Sequence, residues 1–424
     1  MRDLILTMFI MGTIPFALMK PHIGLLMWAW VGYMNPHKLS WGFAYDFPFV
    51  LILAVVTVAA AVFSKEKKTL PIDGLVVVWL MFIIWMAIST YFAHYPDDAM
   101  VEFVRTLKIH TMILITILFF QSKERIIWLV WVVAFSLGFY GIKGGIFTVL
   151  TGGGHLVWGP TGTFVEGNNE LALALIMITP LMAFLWQETK HRYLKYFLLA
   201  CILMTVAAIL GSYSRGALLA IGMMGFFFWL KSSKKIVLLI PILLVGLIAS
   251  IFLPQEWFDR MDTIETFEED RSAMGRINAW YFSFNYASDH PFFGGGYAIF
   301  DPEQFREYAP EPEDYHDAHS IYFEVLAEQG FVGLFLFLGI WGLTWLTGSS
   351  IIRKTRNIPS LKWSNNLVRM VQVGLIGYGT GGAFLGLAYF DLPYHLMAIM
   401  VVTNAVVDRE IKSSEEKSKS MNRI

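Results

Sequence analysis

Apolar runs of about 16 to 25 residues recur along the whole chain. A helical run of that length spans a bilayer, at about 1.5 Å per residue across about 30 Å of hydrocarbon. A transmembrane β-barrel would instead show short alternating segments. The runs fall at 4–19, 22–34, 48–63, 74–92, 103–120, 125–149, 169–186, 194–211, 215–230, 236–253, 318–349, 367–389 and 393–407. A soluble fold of 424 residues, 56% hydrophobic and 15% charged, could not solvate so much apolar surface. The expected fold is an all-α polytopic integral membrane protein of about twelve transmembrane helices. Net charge is -1, which points to no nucleic-acid partner. The single Cys201 excludes an intramolecular disulfide.

Lys and Arg sort the loops. Loops 64–68, 121–125, 190–195, 231–235 and 353–362 are basic, as is the tail from Arg409. The alternate loops, 91–102, 151–169, 211–215, 254–317 and 389–395, are poor in Lys and Arg. The alternation holds from residue 48 onward, so the basic side is expected in the cytoplasm. Residues 1–34 are expected to make one broken crossing, interrupted at Lys20-Pro21-His22, with the N-terminus inside. It lacks a small-residue cleavage site and reads as retained. The expected organisation is a membrane bundle over 1–253, an outer lobe over 254–317, further membrane helices over 318–408 and a cytoplasmic tail over 409–424, disordered along Lys412 to Ser420.

The lobe region, 254–320, carries 15 Asp/Glu, 4 Arg and no Lys. A helix is expected near Arg271 to Phe284, putting Arg276 and Trp280 on one face. Arg271 is expected to pair with the Glu268-Glu269-Asp270 run. Arg215 lies in a short outer turn with Tyr213 and Ser214. It either snorkels to headgroups or clamps an anion, its planar fork suiting phosphate oxygens. His316 and His319 flank Asp317 near a helix start. They offer a structural role, a general base or phosphate donor, or a weak metal pair. Ser320, Glu324 and Glu328 continue as a stripe into an apolar helix. Glu166, Asn168, Asn169 and Glu170 either cap a helix or bind sugar hydroxyls. Arg105 and Lys108 either attract an anionic lipid head or anchor at the interface. No phosphate-binding loop of the Gly-x-x-x-x-Gly-Lys-Ser/Thr type and no serine-nucleophile elbow is placed on a strand–helix turn.

Four stretches resemble the bacterial O-antigen ligase and polymerase superfamily: Gly162 to Ala172, the Gly211-Ser212-Tyr213-Ser214-Arg215-Gly216-Ala217-Leu218 turn, His290 to Gly296, and Ala318-His319-Ser320 with Glu328 to Gly333. Ser320 stands where that family often has Asn. Asn35 to Trp41 also resembles a subgroup described as O-glycosylation ligases. The resemblance implies a GT-C-like, metal-independent glycosyltransferase without cofactor. Its donor would be an undecaprenyl-diphosphate-linked glycan on the periplasmic side of the bacterial inner membrane. Ligases pass the glycan to lipid A-core; relatives extend the polymer or glycosylate protein. Arg215 and Arg276 would stabilise the diphosphate, and His319 would take the acceptor proton or bond the diphosphate. Substrate contacts are expected from Arg105, Lys108, Glu166, Asn168, Asn169, Tyr213, Ser214, His316, Ser320 and Glu324. A transporter would instead place charges near the midplane of several spans; here they cluster at the outer boundary.

Overall fold

The computed structural model describes residues 1–231, 246–247, 249–262, 268 and 270–421. The first ten residues of the tenth apolar run, with residue 248, and residues 232–235 of the basic loop lie outside the described residues. Helices α1 (Arg2–Met19), α2 (Pro21–Met34), α3 (Phe49–Phe63), α4 (Gly74–Tyr91), α5 (Pro96–Phe119), α6 (Lys123–Leu150), α7 (Asn168–Glu188), α8 (Arg192–Leu210) and α9 (Arg215–Lys231) come first. The lobe supplies α10 (Gln255–Asp262), α11 (Arg271–Asp289) and α12 (Pro302–Tyr308). The chain closes with α13 (Ile321–Thr355), α14 (Lys362–Gly381) and α15 (Asp391–Met421). No strand occurs among the described residues. Six of the described helices, α1, α4, α6, α7, α8 and α13, are long and apolar enough to cross a membrane.

Helix α7 is the axis of the bundle. It is apolar on every side from Leu171 to Leu181 and is buried against α6, α8, α9 and α14. Polar bonds then gather the loops at two ends. At one end Arg125 meets Glu66 at 2.8 Å, Arg409 donates to the Gln121 carbonyl at 2.7 Å, and Asn366 donates to Glu188 at 2.9 Å. At the other, the His94 N–H donates to the Gly295 carbonyl at 2.9 Å, and the Tyr213 hydroxyl donates to the Gly153 carbonyl at 2.7 Å. Among the described residues, basic loops 64–68 and 121–125 thus meet each other and the start of the tail, while Lys/Arg-poor loop 91–102 meets the lobe and loop 151–169 meets the 211–215 turn.

The first 34 residues differ from expectation. Asp3 Oδ1 accepts from the backbone N–H groups of Gly42 at 3.0 Å and Ala44 at 3.2 Å. His22, just past the bend, stacks on Trp128 near the basic end of α6. Helices α1 and α2 therefore double back as a hairpin, and the chain start lies beside the 42–44 segment. Proline at position 21 opens α2 and permits the bend at Lys20, which is extended. The tail differs too: α15 runs on to Met421. The Lys412/Glu416 and Glu415/Lys419 pairs sit at i, i+4 and support a solvated helix.

The lobe has a small core of its own. Phe282 stacks on Phe305 with centroids 4.2 Å apart, and Ala279, Tyr286 and Ile299 pack with them against Ala327 of α13. Helix α13 is interrupted beneath this core. Gly330 adopts φ 68°, outside helical geometry, so carbonyls ahead of it lose their helical donors. The lobe supplies replacements. Gly295 N–H donates to Ala327 O at 2.9 Å and Gly296 N–H to Glu328 O at 2.8 Å. The Ser89 hydroxyl also reaches Glu328 O at 2.9 Å, and Trp85 Nε1 reaches Gln329 O at 2.9 Å. A side chain at Gly294 would place its Cβ 2.6 Å from Ala327 O, and one at Gly330 would strike Phe292 O.

Gly294→Ala and Gly330→Ala are expected each to lose at least about 1–3 kcal/mol, the scale of one residue forced into positive φ. Gly225→Ala, where nothing lies within 4 Å of the new Cβ, is expected to be neutral or stabilising. Thermal unfolding of the detergent-solubilised chain checks this. Equal melting of all three variants contradicts it.

Candidate functional site

The turn between α8 and α9 is built to hold one side chain. Tyr213 takes φ 57°, and its hydroxyl is anchored on Gly153 O. Ser212 Oγ bonds Ile209 O at 2.6 Å, and Asn168 Nδ2 donates to Ser212 O at 2.7 Å. Ser214 Oγ accepts from the Ala217 N–H at 3.2 Å and caps α9. Arg215 is the first residue of that helix.

Its guanidinium grips Asp270 by two bonds, Nη1 to Oδ2 at 2.7 Å and Nη2 to Oδ1 at 3.2 Å. This is the planar fork that arginine makes with a carboxylate. Asp270 also accepts from Ala273 N–H at 2.9 Å as the N-cap of α11. Arg215, and with it the α11 cap, holds the Asp270 carboxyl below its ordinary range. Of the run expected to pair with Arg271, Asp270 is thus engaged by Arg215, and Glu269 lies outside the described residues. The pair ties the turn to α11, which carries Arg276 one and a half turns on.

Arg215 and Arg276 line one cavity of about 60 Å³, with Asn169, Ser214 and Ser272. A third arginine joins them. Arg260, from the last turn of α10, lines the same cavity and donates from Nε to Tyr213 O at 3.0 Å. Sequence reasoning missed it. The available signal was that the acidic lobe keeps only four arginines, but residues 263–267, outside the described residues, separate Arg260 from the α11 motif. Arg276 is the most confined of the three. Its Nε is sealed from solvent with no hydrogen-bond partner among the described residues. Burial, and then the charge of Arg215, disfavour its cationic form. An anion entering this cavity would meet donors already oriented, and phosphate oxygens match the guanidinium fork.

His319 stands on the approach to α13. Trp280, four residues after Arg276 and on the same face of α11, donates to Ala318 O at 2.9 Å and stacks on Phe323 at 5.2 Å. That grip holds His319 at φ 42°, a left-handed conformation costly for a side-chain-bearing residue. Burial and then the Arg276 charge press the imidazole pKa below its ordinary value. The ring is therefore neutral near pH 7 and able to accept a proton.

A second cavity, about 170 Å³, is lined by Glu102, Arg105, Phe164, Tyr297, Glu324, Glu328 and Tyr389. The 382–390 segment divides the two: Phe384 and Leu385 line the first, Gly386, Leu387, Tyr389 and Phe390 the second.

The expected site residues thus separate. Asn169, Ser214, Arg215 and Arg276 share the arginine-lined cavity, while Arg105 and Glu324 line the second. Tyr213 and Asn168 brace the turn, and Glu166 accepts from Gly162 N–H at 2.8 Å within its own loop. Ser320 precedes α13, its Oγ sealed and unbonded. Lys108 is exposed and lines neither cavity. His316 lines neither; it bonds Asp314 at 2.9 Å and packs beside Gly275. Among the described residues, no group of three His, Cys, Asp or Glu could hold a metal ion.

Residues 197–338 match a family model described as O-antigen ligase, and residues 1–190 match a family of unknown function. The first match holds α9 through α12, His319 and the Gly330 break. No curated protein matches the chain.

The His319 geometry has a direct readout. Modification of the His319 peptide by diethyl pyrocarbonate, followed by mass spectrometry, is expected to persist to a lower pH than for an ordinary imidazole. Arg276→Gln removes a neighbouring positive charge, so the midpoint should rise toward the ordinary value. No movement, or a fall, contradicts the proximity of the two groups.

Proposed function

Through residues 197–338 the chain belongs to the O-antigen ligase superfamily, and from that premise we propose that it is a membrane glycosyltransferase moving a glycan from undecaprenyl diphosphate to lipid A-core. One observation carries the reading: Arg276, whose Nε has no hydrogen-bond partner among the described residues, shares its cavity with Arg215 and Arg260 and is close enough to His319 for its charge to act on the imidazole. A lipid-linked diphosphate is an anion presented at bilayer depth, and this is a cavity of guanidinium donors among membrane helices. Repeat-unit polymerisation uses the same chemistry with a different acceptor.

In the proposed step an acceptor hydroxyl attacks the anomeric carbon of the donor glycan. His319 takes the hydroxyl proton as the new C–O bond forms. The bond from the anomeric carbon to the phosphate oxygen breaks, and its electron pair stays on the diphosphate. Arg276, Arg260 and Arg215 stabilise the charge that builds there. Direct displacement inverts the anomeric configuration. Asp270 acts as a positioning residue, since it holds Arg215 and starts the helix that presents Arg276.

Two expectations follow. His319→Ala should lower turnover by roughly 10²- to 10⁴-fold, the scale of a lost general base, and Arg276→Ala by roughly 10²- to 10³-fold. Transfer between purified lipid-linked glycan and rough lipopolysaccharide measures both; full activity in either variant removes that residue from the site. Thorough chelation should leave transfer unchanged, because the guanidinium groups take the leaving-group charge. Activity lost on chelation and restored by a divalent cation contradicts this. In cells, deletion should leave long polymer on the carrier lipid and none on the core; a core bearing a single repeat indicates polymerisation.

A further inference from the structure

The second cavity has no part in that mechanism, yet it is a built site. At about 170 Å³ it exceeds the ~150 Å³ of an engineered cavity that accepts benzene, so one six-membered ring fits. Phe164, Tyr297 and Tyr389 supply aromatic surface. Glu324 and Glu328, one turn apart on α13, supply acceptors. Glu328 is only 7% exposed. The Tyr389 hydroxyl donates to its Oε2 at 2.6 Å, and its Oε1 has no protein partner among the described residues. Glu324 likewise is engaged only at Oε2, by the Ala388 N–H at 3.1 Å. Both side chains line the cavity, so a ligand inside it can hydrogen-bond to them. At the rim, Arg105 lies 4.3 Å over the Phe164 ring and 3.4 Å from Glu102.

Aromatic surface with unfilled acceptors suits a ring whose edges carry hydroxyl groups. The position is equally telling. A Cβ on Gly386 would lie 3.6 Å from Glu324 Oε2 and 3.8 Å from the backbone nitrogen of His319. Gly386, which lines this cavity, therefore lies close both to Glu324 and to the backbone of His319.

We propose that this cavity holds the terminal sugar ring of the acceptor glycan, its hydroxyls donating to Glu328 and Glu324. The proposal rests on the glycosyl-transfer reading and narrows it, with donor diphosphate in the arginine-lined cavity and acceptor ring in this one. The nucleophilic hydroxyl then arrives next to His319.

The test uses the full chain in detergent micelles, undecaprenyl-diphosphate-linked glycan as donor and rough lipopolysaccharide as acceptor, each titrated against a saturating level of the other. Glu328→Gln should raise the acceptor KM roughly threefold to tenfold, the effect of one lost hydrogen bond, and leave the donor KM unchanged. Phe164→Ala, at the cavity mouth, should raise the acceptor KM in the same direction and decides the matter if Glu328→Gln fails to fold. Arg276→Ala should show the reverse split, raising the donor KM. An unchanged acceptor KM in folded variants, or a rise in the donor KM instead, overturns the cavity assignment while the transferase reading stands. A wild-type chain that transfers to no acceptor overturns the reading itself and this proposal with it.

Discussion

The helix break at Gly330 governs where everything else sits. A helix interrupted within a bundle leaves carbonyls that cannot turn to water, so donors must be brought to them. They come from the glycine run of the lobe and from Ser89 and Trp85 of α4. Close approach of backbone to backbone is possible because Gly294 and Gly330 carry no Cβ and take φ 64° and 68°. The lobe is thereby bolted to α13 and α4. The first two turns of α13, with Glu324 and Glu328, and His319 just before them, take their places from that junction.

A second tie acts from the opposite flank. Arg215 and Asp270 join the α8–α9 turn to the cap of α11, and α11 delivers Arg276 to the cavity and Trp280 to the backbone ahead of α13. One helix therefore positions both the confined arginine and the strained histidine. The two cavities that result differ in chemistry, guanidinium on one side of the 382–390 segment and carboxylate with aromatic rings on the other. A two-substrate reaction joining an anionic donor to a hydroxyl-rich acceptor needs that division.

Much of this was legible in the residues. Arg215, Arg276 and His319 stood out because charged or titratable groups at the rim of apolar helices are costly without a role. The spacing of Arg276 and Trp280 carried their shared face. Other features were not legible. Asp270 looked like one of three acids available to its neighbour Arg271, yet it pairs with a residue 55 positions away. Arg260 was not singled out, because nothing in its local sequence separates it from the other charges of the lobe. The α1–α2 hairpin turned on Asp3 reaching the Gly42 and Ala44 amides, which no hydropathy pattern encodes. The basic tail, expected to be disordered, continues α15 because its charges alternate at helical spacing.

Sequence alone determined the properties that are local sums: helical membrane class from apolar run length, loop sorting from Lys/Arg content, and the places where charge is forced against the bilayer. Tertiary structure decided the properties that are differences between distant positions: which carboxylate holds Arg215, that Arg260 turns to the same cavity, and that Glu324 and Glu328 open onto a separate one. The reason is geometric. Transfer free energy is accumulated residue by residue along the chain, whereas a hydrogen bond or a cavity wall exists only once segments tens to hundreds of residues apart are brought within a few ångströms.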